Sequence, residues 1–356
     1  MPKDEQKPMT RAELLAIIEQ ARRENWEELN LRNKGITELP PEIGQLKNLK
    51  RLDLGRDFDK PYELLNKLTK LPDEIGQLTS LQTLDLSFNE LTALPESIGQ
   101  LFSLQSLRLF YNELTDLPKS ICRLKNIEVL WLGDNNFINI PERIKSLTKI
   151  RVLELQGLTI RSLPDFLLDM TNIEALIIGH NSLTLLPNDI NKLTNLRSLR
   201  SVKNPLTSIP PSLARLEKLK ELDLKDNHLN PVLKSAYAQG LPALMAYLRS
   251  LEQAEPLYET KLVLVGEGGV GKTTLLKALT GKEPKQNEPT THGVSIDIHS
   301  MHLPHPEKQG VNIQFNAWDF GGQEVYRVTS RRSSIVVLKK YGESLKAWKA
   351  VWPTMS

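Results

Sequence analysis

A pattern of apolar and polar positions repeats every 23 residues along the first two thirds of the chain. From Leu81 the order LxxLxL, then Asn, then LPxxIxxL recurs without a gap at 104, 127, 150, 173 and 196. Two earlier units begin at Trp26 and Leu49, the second lengthened by nine residues, and a partial unit begins at Leu219. One unit buries little apolar surface alone, whereas stacked units share a continuous core. The pattern predicts a solenoid over residues 26–230.

Each position in the unit predicts a place in the solenoid. LxxLxL is typical of the short strand of a leucine-rich repeat, and alternate residues of a strand point to opposite faces. The leucines therefore face the core, and the residues between them line a parallel sheet on the concave side. A turn asparagine can bond the backbone of adjacent turns. It recurs in six units: Asn89, Asn112, Asn135, Asn181, Asn204 and Asn227.

Helix patterns stand at both ends of the repeats, where they can cover the core. Thr10 and Glu13 have the spacing of a capping box ahead of an amphipathic run, which predicts a capping helix within residues 1–25. PALMAYLRSLEQ at 242–253 predicts a closing helix. Residues 231–260 are expected to hold this helix and a linker.

Large aromatic residues stand on consecutive strands of the predicted concave face: Phe88, Phe110, Tyr111 and Trp131. Clustered exposed aromatic residues are typical of protein-binding surfaces. Alternatively, some rings fold over the edge of the sheet and pack on their own repeat, since single exposed apolar residues are common. The candidate patch is flanked by Arg108, Glu154, Ile177 and Arg200.

A glycine loop follows the repeats, between an apolar strand and a helix pattern. KLVLVGEGGVGKTTLLKAL starts at residue 261, so the loop has the form GxxxxGKT. Backbone amides of such a loop surround phosphates, its lysine reaches the outer phosphates, and its threonine hydroxyl binds Mg²⁺. The predicted phosphate-binding residues are Gly266, Glu267, Gly268, Gly269, Val270, Gly271, Lys272, Thr273 and Thr274.

Kinases and dinucleotide-binding folds share parts of this pattern. The loop also contains GxGxxG, and DFG at 319–321 spells the metal-binding triplet of a protein kinase. A kinase needs a separate strand lysine and HRDxxxxN before that triplet, and neither stands between 272 and 319. The dinucleotide fold does not use the Lys-Thr pair of the loop. The residues therefore favour a GTPase.

The sequence after the loop resembles Ras-like GTPases. Thr291 stands nineteen residues past Lys272, where those proteins place a first-switch threonine that joins Mg²⁺; Thr290 is the alternative register. VSIDIHSMHL and VNIQFNAWDF alternate as two paired strands.

The stretch WDFGGQE, which follows at 318–324, resembles a second switch. In that resemblance Asp319 holds Mg²⁺ through water, the Gly322 amide lies near the γ-phosphate, and Gln323 orients the attacking water.

Repeats that end in NPVLKSAYAQGL, followed by GEGGVGKTT, THGV and WDFGGQE, resemble the Roco family, whose Ras-of-complex (Roc) domain follows leucine-rich repeats. The resemblance covers about residues 26 to 327. It implies a partial P-loop α/β domain of Ras-like fold over 261–327, with GTP and GDP as ligands, Mg²⁺ as cofactor and GTP hydrolysis as activity. In the family, a dimerising COR domain and sometimes a kinase follow.

The family pattern is expected to stop at Arg327. Residues 328–356 form an atypical basic tail: positions 327 to 356 hold seven Lys and Arg against one acid, whereas the remainder holds 39 basic and 42 acidic residues. No Asn/Thr-Lys-x-Asp motif, which recognises guanine, follows Lys272. An incomplete GTPase domain is therefore expected. Two functions stay open: a GTP-binding regulatory protein with an interaction platform, or a repeat scaffold with an inert GTPase fragment.

Composition narrows the class of partner and the compartment. A basic surplus confined to one segment does not indicate a nucleic-acid surface. The polar N-terminal sequence and the lack of a long apolar run indicate neither a secretory leader nor a membrane span. One cysteine, Cys122, cannot form an internal disulfide. We expect a cytoplasmic protein with a protein partner on the concave face.

Overall fold

The computed structural model describes residues 7–56, 64–253, 259–264, 294–304, 312–320 and 337–339. They belong to two compact units, Met1–Ala254 and Glu255–Ser356. Within the described residues, no helix is both long and apolar enough to cross a membrane.

The first unit is the predicted solenoid, with one strand for each of nine repeats in a single parallel sheet. Equivalent leucines pair along the sheet, as Leu84 does with Leu107 and Leu107 with Leu130. All three are fully buried, so the 23-residue spacing becomes a continuous core. The strands are β1 Glu28–Asn30, β2 Arg51–Asp53, β3 Thr83–Asp85, β4 Ser106–Arg108, β5 Val129–Trp131, β6 Val152–Glu154, β7 Ala175–Ile177, β8 Ser198–Arg200 and β9 Glu221–Asp223.

The N-terminal end of the solenoid is closed by α1, Arg11–Arg23. The Glu13 amide donates to the Thr10 hydroxyl, and the Thr10 amide donates to the Glu13 carboxylate at 2.7 Å. The predicted capping box is thus confirmed. Leu14 and Ile18 of the helix are buried against the repeat core.

Short helices form the side of the core opposite the sheet. Most begin directly after the proline of LPxxI, whose fixed φ suits the start of a helical turn. They are α2, Asp165–Leu168, and the 3₁₀ turns Pro41–Gln45, Asp73–Gln77, Glu96–Gln100, Lys119–Arg123, Glu142–Ser146, Ile190–Lys192 and Pro211–Arg215.

Two helices close the C-terminal end. The predicted closing helix is confirmed as α4, Leu241–Gln253. It is preceded by α3, Pro231–Ala238, where the sequence predicted no helix. The Leu233 amide donates to the Asn230 side chain at 3.0 Å, so Asn230 caps α3. Asparagine before proline is a favourable start for a helix, and it is the signal from which α3 could have been predicted.

Buried asparagines join successive turns, as predicted. The Asn112 side-chain amide donates to the carbonyls of Leu86 and Leu109 at 2.9 and 3.0 Å. Its oxygen accepts from the Leu91 amide at 3.1 Å. One side chain therefore satisfies three backbone groups of two successive repeats, and the same pattern recurs along the sheet as an asparagine ladder.

The ladder has one member that the sequence pattern missed and one interruption. Asn66, which lies in the middle of the lengthened second repeat, is 2% exposed and donates to the carbonyls of Leu31 and Leu54, both at 2.8 Å. Leu158 occupies the ladder position of the sixth repeat, between Asn135 and Asn181 in the order of repeats. The contact between the fifth and sixth repeats consequently lacks the asparagine bonds that join the others.

The second unit contains a four-stranded sheet in the order β11-β12-β10-β13. Strands β10 and β12 are parallel, β11 is antiparallel to β12, and β13 is antiparallel to β10. The predicted pair of strands is thus confirmed as β11 and β12, whereas β10 begins inside the predicted linker and β13 lies past Arg327. The bounds are β10 Glu259–Leu264, β11 Val294–Pro304, β12 Asn312–Phe320 and β13 Val337–Lys339.

Candidate functional site

The strand register of the second unit brings to one edge of the sheet the strand ends that adjoin the predicted nucleotide-binding segments. Leu264, two residues before the glycine loop, pairs with Asp319. Because β10 and β12 are parallel, the two strands end at the same edge of the sheet. Strand β11 runs in the opposite direction and starts there, since Val294 pairs with Phe320. In open α/β sheets ligands bind at the carboxyl ends of parallel strands.

Of the predicted residues of the nucleotide site, one lies within a described strand and the others do not. Asp319 is the penultimate residue of β12. Thr291 precedes the first residue of β11 by three positions. The following lie outside the described residues: the loop Gly266–Thr274, Thr291, Gly322 and Gln323.

Three aromatic rings of the predicted patch lie together on the sheet face of the solenoid. Phe88 and Tyr111 stack with ring centroids 4.9 Å apart and planes at 20°. Phe110 lies 5.6 Å from Phe88, in a tilted arrangement. Tyr111 is 55% exposed, so this ring cluster of Phe88, Phe110 and Tyr111 is open to solvent at one end.

The fourth aromatic residue of the predicted patch, Trp131, packs against a cation. The Arg108 guanidinium lies over its ring, 4.5 Å from the centroid. Such a contact is worth about 0.5 to 1 kcal/mol at a partly exposed site. Trp131 therefore presents an arginine-covered face.

Two members of the ring cluster lie in a backbone conformation that recurs along the solenoid. Phe88 and Tyr111 both have φ of 58°, the left-handed region that bulky residues rarely adopt. The equivalent positions of other repeats also have positive φ: Asn33, Asp134, Gly157, His180, Lys203 and Asp226. The conformation therefore belongs to the repeat turn, and only the aromatic side chains are particular to these two neighbouring repeats.

Arginines and aspartates form an ionic lattice beside the rings. Arg32 Nη2 lies 3.4 Å from Asp53 Oδ1 and 3.4 Å from Asp85 Oδ2. Arg51 donates to Asp53 at 2.9 Å, and Arg108 Nη1 lies 3.8 Å from Asp85. These five residues, on strands β2 to β4 and on the turn after β1, are called the Arg–Asp lattice below.

Glu154 lies on the same sheet face but, contrary to the outward position expected from strand alternation, is only 5% exposed. Its carboxylate accepts from the backbone amides of Gly133 at 3.0 Å and Gln156 at 2.7 Å. Burial is the main reason that its pKa rises to about 7; the two amide bonds lower the pKa, and Asp134 raises it. A side chain at Gly133 would overlap this carboxylate, so glycine there permits the burial.

Replacing Glu154 with glutamine is expected to change how stability depends on pH. The folded protein holds the Glu154 proton up to about pH 7, whereas the unfolded chain releases it near the ordinary value of 4.5. Because the folded pKa is raised, the contribution of Glu154 to the free energy of unfolding falls by up to about 3 kcal/mol as pH rises from 4.5 to 7. Above pH 7 the contribution stays constant.

Urea unfolding across that pH range measures the effect. The free energy of unfolding of the parent minus that of Glu154→Gln should decrease between pH 4.5 and 7. Glu174→Gln is the control, because bonding to Arg151 lowers the pKa of Glu174 instead. A pH-independent difference for Glu154→Gln would contradict the assignment.

Comparison with protein families identifies both units. Residues 261–339 match the Roc family, described as "Ras of Complex, Roc, domain of DAPkinase", and residues 62–136 match a leucine-rich repeat region. Roc domains are Ras-like GTPase domains that bind guanine nucleotide, normally with Mg²⁺. The match includes β13 and ends twelve residues past Arg327, where the sequence pattern was expected to stop.

Relatives among characterised proteins share short segments with the chain. The probable serine/threonine-protein kinase pats1 of Dictyostelium discoideum is 34% identical over 119 residues, 28% of this chain and 4% of that protein. A Roc-COR-CHAT protease from an unknown prokaryotic organism is 38% identical over 91 residues, 23% of this chain and 8% of that protein. The probable serine/threonine-protein kinase roco11 of Dictyostelium discoideum is 32% identical over 99 residues, 26% and 6% respectively. The chain thus spans 4 to 8% of the length of these relatives.

Solved structures include similar solenoids. A leucine-rich-repeat protein of Leptospira interrogans is 30% identical, with a TM-score of 0.47, over 65% of this chain and 68% of that chain. YopM from Yersinia enterocolitica is 25% identical, with a TM-score of 0.47, over 64% and 44%.

The nine-stranded solenoid and the Roc match define the class as a leucine-rich-repeat protein with a P-loop GTPase domain of Ras-like type. The predicted fold class is therefore confirmed. The Roc match and the leucine-rich repeats in one chain, together with Roco proteins among the relatives, confirm the predicted resemblance to the Roco family.

Proposed function

We propose that this chain binds GTP and GDP with Mg²⁺ through its glycine loop and two switches. The observation that carries the proposal is the register of β10, β11 and β12, in which Leu264 pairs with Asp319 and Val294 with Phe320. That register supports a site where the glycine loop, the first switch and the second switch meet at one edge. A nucleoside triphosphate with Mg²⁺ needs contacts from all three.

The glycine loop supplies the phosphate contacts. Backbone amides of residues 266–274 would surround the phosphates, and Lys272 would pair with the outer ones. The hydroxyls of Thr273 and Thr291 would hold Mg²⁺ directly and Asp319 through water. Bound Mg²⁺ would offset the negative charge of the phosphates.

The switches supply the dependence on nucleotide state. Thr291 and the Gly322 amide make contacts that require a γ-phosphate, and Gln323 orients water towards it. These contacts are lost when only GDP is bound, so the segments around them change conformation with the nucleotide. This is the basis of a regulatory role.

The solenoid supplies the second part of the proposed function, which is to bind a protein partner through its sheet face. The ring cluster and Trp131 form the proposed contact surface. Support comes from the exposure of Tyr111 and from its stacking on Phe88, because aromatic anchors dominate the affinity of protein interfaces.

A scaffold whose GTPase segment is inert is the second candidate. The observation that favours it is the ring cluster on the sheet face, where Tyr111 is 55% exposed, because an aromatic contact surface needs no nucleotide. On this alternative the repeats bind their partner irrespective of nucleotide.

Competition binding tests the choice of nucleotide. Fluorescently labelled GTP should bind the purified chain in buffer that contains Mg²⁺. Unlabelled GTP and GDP should displace it, whereas ATP at the same concentration should not. Equal displacement by ATP would contradict the choice of guanine. Labelled GTP that fails to bind at all would favour the scaffold.

A further inference from the structure

The sheet face of the first five repeats concentrates polar atoms that lack a hydrogen-bond partner among the described residues. Each buried group of this kind destabilises the free protein, so such groups are normally rare. Five of these atoms are donors or hydroxyls: Arg32 Nε, Ser87 Oγ, Ser106 Oγ, Arg108 Nε and Trp131 Nε1. An acceptor, Asp53 Oδ1, is also without a hydrogen bond, but it faces Arg32 in an ion pair at 3.4 Å. The surplus is therefore in donors.

The Arg–Asp lattice presents its positive groups to solvent. The aspartate side chains are 6% and 8% exposed, whereas those of Arg32, Arg108 and Arg51 are 24%, 31% and 41% exposed. The three arginines exceed the two aspartates by one charge. A molecule that approaches this face thus meets guanidinium groups above buried carboxylates, which favours a carboxylate-bearing partner.

The ring cluster lies close enough to the lattice for one peptide to reach both. Arg108 and Phe110 are two positions apart in the chain, and two extended residues span about 7 Å. An extended peptide with an acidic side chain two positions from an aromatic or large aliphatic one matches this spacing. The acid would accept hydrogen bonds from Arg108 and its neighbours, and the apolar side chain would pack on the rings.

We propose that the surface formed by the Arg–Asp lattice, Trp131 and the ring cluster binds an acidic, extended peptide segment of a partner protein, with an acid and an apolar residue two positions apart. This rests on the proposed role of the sheet face as an interaction surface and adds the chemistry of the partner. The segment supplies a carboxylate to the exposed guanidinium groups and an apolar side chain to the ring cluster.

Single-stranded nucleic acid also combines negative charge with stacking surfaces, but the charges here favour a peptide. A nucleic-acid backbone places a phosphate at every step and needs a clustered basic surface. The lattice has a surplus of one positive charge, and Asp53 and Asp85 lie within it. One carboxylate fits that balance better than a row of phosphates.

Selection of displayed random peptides on the full chain tests the proposal. The selected peptides should carry Asp or Glu two positions from Phe, Tyr, Trp or Leu. Their affinity should fall by about tenfold or more in Arg108→Gln, since a charge-assisted hydrogen bond is lost. It should also fall as salt rises for the parent protein, a measurement that needs no variant.

Matched controls separate this surface from the rest of the solenoid. Arg143 is 35% exposed, pairs with Asp116 and lies in the turn Glu142–Ser146 on the opposite side of the core. Arg143→Gln should therefore leave the affinity unchanged.

The outcomes distinguish the partner chemistry from the surface itself. If the selected peptides are basic or uncharged and their binding depends on Tyr111, the proposal of an acidic partner is overturned. The proposal that the sheet face is an interaction surface then stands. A further variant, Tyr111→Ser, removes the exposed ring. Peptides whose affinity changes neither in Arg108→Gln nor in Tyr111→Ser would overturn both proposals. A labelled single-stranded oligonucleotide that binds more tightly than any selected peptide would replace the peptide with nucleic acid.

Discussion

Lys272→Ala is expected to lower the affinity of the chain for GTP by about 100-fold, because the charge-assisted hydrogen bonds of this lysine to phosphate contribute up to about 3 kcal/mol. Its place in GxxxxGKT and the strand that leads into the loop both support this role. Titration of labelled GTP with the parent and the variant measures the loss.

A neighbouring lysine provides the control for this experiment. Lys277 lies five residues further along the same helix pattern and outside the GxxxxGKT motif. Lys277→Ala should bind GTP like the parent. An unchanged affinity in Lys272→Ala, or equal losses in both variants, would contradict the assignment of the loop lysine.

The second large effect is expected in the asparagine ladder. Asn112→Ala should lower the free energy of unfolding of the solenoid by roughly 3 kcal/mol, because three backbone groups lose their partner at a cost of about 1 kcal/mol each. Asn112 is 7% exposed, so water does not readily replace the amide. The midpoint of urea unfolding, followed by circular dichroism, measures the change.

Asn126→Ala is the matched control for the ladder. Asn126 also donates to a backbone carbonyl, that of Phe102 at 2.9 Å, and accepts from the Lys149 ammonium at 2.8 Å, but it is half-exposed and bonds one backbone group where Asn112 bonds three. Its replacement should cost under about 1 kcal/mol. Equal shifts for Asn112→Ala and Asn126→Ala would show that the ladder does not determine stability.

The repeat pattern predicted most of the solenoid because one local rule recurs. Strand β4 lies on the LxL centre of its unit, and Asn112 makes the bonds expected of a turn asparagine. Asn66 was not predicted as a ladder asparagine, because nine extra residues separate it from its own strand and remove it from the regular spacing. Only the fold brings it beneath the carbonyl of Leu31.

Features that depend on several repeats at once were harder to predict. Alternation along a strand places Glu154 outward, but the missing side chain at Gly133 lets the carboxylate turn in and bond two backbone amides. The stacking of Phe88 on Tyr111 likewise depends on the left-handed backbone of both residues. Spacing in the sequence predicts neither the burial of Glu154 nor the stacking of the two rings.

The nucleotide site shows the same division. Motif order predicts which segments would form it, and the pairing of β11 with β12 follows from their alternation. The pairing of Leu264 with Asp319 could not be predicted, because parallel register depends on the crossover connection rather than on either strand. The individual site residues remain predictions.

Calorimetric titration of the full chain with GTP, with and without Mg²⁺, tests the central claim most directly. We expect one site per chain in excess Mg²⁺ and an affinity about tenfold or more lower in EDTA, because the metal offsets phosphate charge. No saturable binding in either buffer would contradict the account of this chain as a GTP-binding protein.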